Sequence, residues 1–383
     1  MRTLLLTLLL LAAFAAGAQP VLAPEVVSAP LPGAFEVYGF APPALAGDGS
    51  AFGVAWSAWA EGGDNRIYAA PLDATAHVAG AVQVMPTGLR HAERPVLTAT
   101  ASGFMIGWIE LVDRMPRGLI CALDRQLVPI AKPVILGSGA DRVVLASSEH
   151  RVVAAYKGQL FELADDGTII NASSGVSSPV ALAVTPFRTI ALGQTSTQTP
   201  VPCFDFHGHC GQPSFINSYF LTLLDVGNLL VGDNLGFFST LGAAVGFDGQ
   251  SPLIVWYDGT PTFGGQILAM RLTPASYDAK RFPARFLLGS YPPRMDNTGA
   301  APQIAYDGER YLVVWQDGNA ISGALLDAAG KVTLLAIAKS GSRPNVIATS
   351  RGRFLVAYEL WNTEGRHVAG RFIDVTSRRR AGS

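Results

Sequence analysis

The sequence predicts an all-β fold of seven repeats, each supplying four antiparallel strands, and three observations predict it. A pair of apolar runs split by a tight turn recurs along the chain. Glycine, the residue of tight turns, occurs 41 times in 383 residues while charged residues make up only 15%, a composition that suits short strands joined by turns. Beyond the N-terminal leader, no window sustains the three-and-four-residue apolar spacing of an amphipathic helix.

The elements follow in chain order. Residues 1–18 read as a signal peptide: Arg2 supplies positive charge, Leu4 to Ala16 an apolar run, and Ala16-Gly17-Ala18 a small-x-small cleavage pattern. The run is too short, and too soon followed by Pro20, for a membrane anchor. No later stretch offers about 18 uninterrupted apolar residues, so no membrane insertion is expected after cleavage. The expected location is secreted or periplasmic. A net charge of −1 for the full sequence argues against a nucleic-acid partner, which would require a basic surface. The one basic run, Arg378 to Arg380, belongs to a C-terminal tail, 377–383.

Between leader and tail, residues 19–376 read as one domain. In "PQIAYDGERYLVVW", thirteen positions separate Pro302 from Trp315, and the same interval joins Pro43 to Trp56, Pro95 to Trp108 and Ala243 to Trp256. Fainter copies end at Tyr156, Leu192 and Tyr358. The seven anchors are spaced by 52, 48, 36, 64, 59 and 43 residues, as expected of repeats whose loops vary while their strands persist. A third apolar run follows each pair and often ends in Leu-Asp, as in "RIYAAPLD" (Arg66 to Asp73) and "ISGALLD" (Ile321 to Asp327). A less regular fourth run comes next. Four strands in about 40 to 50 residues are the signature of a propeller blade. Asp48-Gly49, Asp248-Gly249 and Asp307-Gly308 fall between the first two strands and read as turn formers, because glycine takes positive φ cheaply there. The aromatic anchors read as core, filling the gap between neighbouring sheets.

The seventh repeat lacks a fourth strand, since only "TSRRRAGS" follows "HVAGRFIDV". The N-terminal segment "APEVVSAPLPG" (Ala23 to Gly33) is an orphan. Glu25 to Ala29 is expected to complete the last blade and close the ring, leaving no open edge. The prediction is therefore a seven-bladed β-propeller, four antiparallel strands per blade, the last closed by the N-terminal strand. The repeat "PQIAYDGERYLVVW…ISGALLDAAG" resembles that of exported bacterial β-propeller proteins, most of them uncharacterised. The resemblance implies fold and export and assigns no reaction and no residue's function.

Candidate site residues lie after the anchors, where propellers carry their variable loops. These loops are read as Ser57 to Asn65, Ile109 to Arg117, Tyr257 to Gly265 and Glu359 to Gly365, with a longer one from about Gly193 to Ile216. Acids recur there: Glu110, Asp258 and Asp317 two positions past their anchors, Glu359 one position past. They read either as a partial ring of ligand-binding carboxylates, with Trp361 beside it, or as separate turn carboxylates accepting backbone N–H bonds. The long loop holds "CFDFHGHC" (Cys203 to Cys210). Oxidising conditions outside the cytoplasm favour a Cys203–Cys210 disulfide, which the loop-entropy model values at about 2.5 kcal/mol. The weaker alternative is a metal site from His207, His209 and Asp205. Cys121 lies in an apolar third strand and reads as a buried thiol.

Nucleophile-elbow, zincin, P-loop and Cys-x-x-Cys motifs are absent from the sequence, and no cofactor is expected. The leading functional expectation is a binding or interaction module using its loop-bearing face, its ligand an extracellular or periplasmic carbohydrate or protein. The alternative is a propeller enzyme acting on carbohydrate through paired carboxylates.

Overall fold

The computed structural model describes residues 20–23, 25–27, 42–59, 64–87, 91–148, 151–201, 214–225, 228–231, 243–260, 264–273, 275–276, 283–292, 301–362 and 365–375. The predicted signal peptide, the Cys203–Cys210 segment and the basic tail lie outside them.

Among the described residues the strands form seven antiparallel sheets, one per repeat. Sheets one to six each run up, down, up, down in chain order. Sheet one is Ala44–Gly47, Phe52–Trp59, Asn65–Leu72 and Gln83–Val84; sheet two is Ala92–Ala99, Phe104–Val112, Met115–Leu123 and Val134–Ser138. Sheet three is Val144–Ser148, Arg151–Tyr156, Gln159–Leu163 and Ile169–Ser174; sheet four is Pro179–Val184, Thr189–Val201, Ser214–Asp225 and Asn228–Val231. Sheet five is Ala243–Phe247, Pro252–Thr260, Gly264–Arg271 and Phe286–Tyr291; sheet six is Gln303–Tyr306, Tyr311–Asp317, Ala320–Leu326 and Val332–Ala338.

Sheet seven has three strands of its own, Ser342–Ser350, Arg353–Asn362 and Gly365–Asp374. Its outer edge is filled from the other end of the chain. Val21 and Leu22 pair with Asp374 and Ile373, and Val26 and Val27 pair with Gly370 and Ala369. The sequence-predicted strand therefore pairs where expected, with Val21–Leu22 as a second short piece. Glu25, between the pieces, accepts a hydrogen bond from the buried Tyr358 hydroxyl and lies 3.8 Å from Arg371. Burial, reinforced by the Glu25 carboxylate, pushes the Tyr358 phenol far above its ordinary value, so it remains a donor.

The sheets pack side by side. The first strand of each touches the first strand of the next, and that of sheet seven touches that of sheet one. Seven apolar clusters fill the seven junctions. The last junction joins Leu45, Val54, Trp56 and Tyr68 of sheet one to Leu355, Ala357 and Phe372 of sheet seven. The aromatic anchors are core, as expected: none of Trp56, Trp108, Tyr156, Trp256, Trp315 and Tyr358 is more than 3% exposed.

The fourth repeat needs a correction. Its hairpin register pairs Ala181 with Leu192 and Pro179 with Gly193, through a bulge. The residue in the anchor position is thus Gly193, and Leu192 packs the other way, against sheet five. A side chain at Gly193 would meet Val176 within 2.7 Å. Val176 occupies the space an aromatic fills elsewhere. Counting thirteen residues from a proline failed because the bulge takes up part of the interval.

The turn aspartates behave as their type demands. Asp48, Asp248 and Asp307 each accept, on Oδ1, the backbone N–H groups two and three residues on, at 2.6–2.8 Å. The glycine that follows has φ of 89°, 90° and 94° in turn. The Leu-Asp endings cap the turns between third and fourth strands: Asp73, Asp124 and Asp327 accept from residues two and four on.

Candidate functional site

Both sets of aspartate turns lie at one end of the sheets. The opposite end carries the turns between second and third strands and the connections between sheets, and the four acids nominated past the anchors fall there. The second-to-third hairpins are longer than the sequence suggests. Ile109 to Arg117, expected as a loop, is strand on both sides, pairing Glu110 with Arg117, Leu111 with Pro116 and Val112 with Met115. Only Asp113 and Arg114 turn, with φ of 50° and 65°, values that a two-residue hairpin requires and that glycine or asparagine usually supplies. Without that marker the hairpin was invisible in the sequence.

In sheet four the same hairpin becomes an arm. Pairing continues from Leu192 opposite Leu223 out to Val201 opposite Ser214. That is nine further residues on the outgoing strand, about 30 Å at the usual strand rise. The tip, 202–213, holds Cys203, Asp205, His207, His209 and Cys210 and lies outside the described residues. Cys121 is buried as expected; its Sγ–H donates to Ala131 O at 3.3 Å, and burial pushes the thiol up to about 11.

The four acids each have a local partner. Glu110 is 3% exposed and accepts the indole N–H of its own anchor, Trp108, at 3.2 Å. Asp317 accepts from Ser322 Oγ at 2.9 Å, across the hairpin. Asp258 lies 4.0 Å from Arg285, and burial pushes its carboxyl up against the pull of that guanidinium. Glu359 is also 3% exposed and takes both of its oxygens to Arg343 Nη1, at 3.2 and 3.0 Å. Sitting one position past its anchor instead of two, Glu359 projects from the other side of its sheet. The structure therefore sets three acids in equivalent positions on separate sheets and turns the fourth away. Trp361, at the end of the same strand, is 56% exposed.

Two basic positions on this end were not singled out from the sequence. Arg94 and Arg343 open the first strands of sheets two and seven, each followed by proline, and both have positive φ, 55° and 49°. A register shift brackets each Arg-Pro pair. The signal was present as "AERPVL" and "GSRPNV". Arg343 also donates its backbone N–H to Gln316 Oε1 of sheet six at 3.3 Å. Arg94 reaches the connection between sheets two and three, donating from Nη1 to Asp141 Oδ2 at 2.6 Å and Asp141 O at 2.9 Å.

Comparison with solved structures fixes the fold. A protein of unknown function from Dyadobacter fermentans superposes with a TM-score of 0.52 at 12% identity, over 93% of this chain and 99% of that one. The WD40 domain of coronin from Toxoplasma gondii superposes with a TM-score of 0.53 at 9% identity, over 95% of this chain and 88% of that one. The chain has the β-propeller fold. At these identities the likeness carries fold alone. No protein-family model and no curated protein sequence matches the chain.

Proposed function

We propose that the seven sheets are the blades of one closed ring and that the protein is an exported interaction module, binding its ligand through the loop-bearing end without catalysis. The ligand class is a carbohydrate or protein of the periplasm or extracellular space. Propellers are commonly interaction modules, and their variable end is where rigid blades present adaptable loops. The observation that carries the reading is the sheet-four arm, whose ladder runs eight residues past the anchor position at Gly193, to Val201. A structural blade has no use for such an extension, and a disulfide at its tip would lower the ordering cost of binding. The leader pattern of residues 1–18 supports export. The carboxylates support binding over hydrolysis, because each is held by a partner within its own blade, whereas glycoside cleavage needs two acids facing one bond.

Shortening the arm tests this. Joining Ser196 to Tyr219, which face each other in the ladder, through Asn-Gly removes the tip and keeps a competent hairpin. The shortened protein is expected to fold and melt as the full chain does and to lose binding on a glycan array and in capture from an extracellular protein fraction. Full retention of every ligand the intact protein captures would refute the reading.

A further inference from the structure

Open strand edges are templates for pairing with another chain, and folded proteins guard them with bulges, short strands, charge or proline. The outer edges of the sheets follow that rule among the described residues. The fourth strands of sheets two, three, five and six each carry a register shift. Those of sheets one and four are only two and four residues long, and sheet seven is finished by two pieces of two residues each.

The arm of sheet four does not follow it. Pairing with the first strand ends at Gly193, and pairing with the fourth ends at Thr222. Beyond those levels, Gln194 to Val201 and Ser214 to Leu221 pair only with each other among the described residues, and each strand keeps one edge open. The ladder runs through twelve pairs without a register shift, and neither segment contains a charged residue. A two-stranded ribbon standing alone is marginal in water and gains from a third strand.

The two open edges are not alike. The outgoing segment carries Pro200, and proline is accommodated in a strand where its missing N–H faces away from the ladder. That edge therefore lacks a donor. The returning segment, "SFINSYFL", has no proline, glycine or charge, and its aromatic residues favour strand pairing.

We propose that residues 214–221 pair antiparallel with the same segment of a second copy of the chain, joining two molecules through a four-stranded ribbon. The pairing rests on the interaction reading for the arm and gives that arm a partner. An unguarded edge is matched by another unguarded edge, and among the described residues the arm supplies it. A two-fold axis sets the strand antiparallel to itself and satisfies both edges at once. Around such an axis like residues meet like, which a charged segment would resist and this uncharged one does not. The Pro200 edges then lie outermost and oppose further addition, so the assembly closes at two.

Two doubly charged variants test the pairing at the middle of the segment: Asn217→Lys with Ser218→Lys, and Asn217→Glu with Ser218→Glu. Adjacent strand positions place one charge on each side of the ribbon. Sedimentation velocity over a dilution series should show the wild type as a dimer that dissociates on dilution. Each variant should raise the dissociation constant by about tenfold or more, because like charges then meet across the axis, and mixing the Lys and Glu variants should restore the dimer. A wild type that stays monomeric up to its solubility limit overturns the proposal, as does open-ended aggregation or a dimer that both variants leave intact. Where a variant melts below wild type, the mixture decides: a restored dimer upholds the pairing, and none overturns it. Ligand capture separates this pairing from the broader reading. A monomeric wild type that loses its ligand when the arm is shortened refutes the pairing alone, and a dimer whose arm-shortened form is monomeric yet keeps every ligand refutes the broader reading alone.

Discussion

The three Asp-Gly turns offer an internal comparison in which one substitution should have three different costs. In each, Oδ1 serves the turn and Oδ2 faces a different partner. Asp307 Oδ2 accepts the backbone N–H of Gly352 in the neighbouring blade at 3.0 Å, and the side chain is buried. Asp248 Oδ2 lies 3.3 Å from Arg271, whose side chain is 30% exposed. Asp48 Oδ2 lies 3.1 Å from Arg125, whose side chain is 54% exposed. Asparagine can keep the Oδ1 bonds in all three places but presents an NH₂ group where Oδ2 was. At position 307 this removes a hydrogen bond to a charged acceptor and leaves the Gly352 N–H facing another donor, for about 2–3 kcal/mol. At 248 the loss is a partly shielded ion pair, about 0.5–1.5 kcal/mol, and at 48 an exposed pair worth about 0.2–1 kcal/mol. A chain of this length converts 1 kcal/mol into roughly 1–1.5 °C of melting temperature. Asp307→Asn should therefore melt about 3 °C below wild type and Asp48→Asn within about 1 °C, measured by calorimetry in parallel. Equal drops at all three positions, or the reverse order, would show that these carboxylates act only within their own turns and do not tie blades together.

Other consequences are testable in the same way. Deleting residues 20–27 removes four ladder pairs with the last blade, about 2–6 kcal/mol at 0.5–1.5 each, and an unchanged melt would reduce the segment to a linker. Gly370→Ala places a methyl against a cavity of about 20 Å³ between blades seven and one, with Ala76 Cβ as its nearest neighbour at 3.4 Å, and should stabilise by about 1 kcal/mol. Gly323→Ala should do the opposite, its Cβ falling 2.9 Å from Val313 O. For acid stability, burial alone would raise Asp48, yet the Ala51 and Ser50 hydrogen bonds hold it below its ordinary value, and the Thr75 hydroxyl does the same for Asp73. Stability from these two is complete above the unfolded carboxylate range and is lost as pH falls through their lower folded values; Asp258, raised by burial, runs the other way, so Asp258→Asn should reduce no stability at pH 7. Iodoacetamide at pH 8 should spare Cys121, whose thiol burial pushes up to about 11, and peptide mapping without reductant of protein produced in an oxidising compartment should find Cys203 joined to Cys210, with alkylation of both ruling the bond out.

The parts of the fold legible in the sequence are those encoded in local chemistry. Asp-Gly marks a turn because of what Asp48 and Gly49 can do alone, and Trp315 marks a junction because a large aromatic fills the gap between neighbouring sheets. What stayed illegible depends on two segments at once. The Gly193–Val176 exchange needs the register of one strand and the path of the connection before it. The hairpin through Asp113 and Arg114 carries no glycine to announce it. Glu110 and Glu359 look alike in the sequence, yet one position of difference from the anchor sends them to opposite sides of their sheets, toward an indole in one case and a guanidinium in the other.

That divergence bears on where function resides. Repeats begin equivalent, so a position that recurs in register is first a property of the blade. Three of the acids past the anchors, Glu110, Asp258 and Asp317, recur in register, and each is held within its own blade: by an indole N–H, an arginine or a serine hydroxyl. A feature that serves a ligand should instead be one the repeat does not share. Two such features occur at the loop-bearing end, the arm of blade four and the Arg94–Asp141 pair between blade two and the connection that follows it. The second breaks the pattern within its own motif, because the Arg-Pro opening that pairs with Glu359 inside blade seven reaches out of blade two to Asp141 in the following connection. Departure from the repeat separates these positions from the scaffold better than the mere presence of charge does.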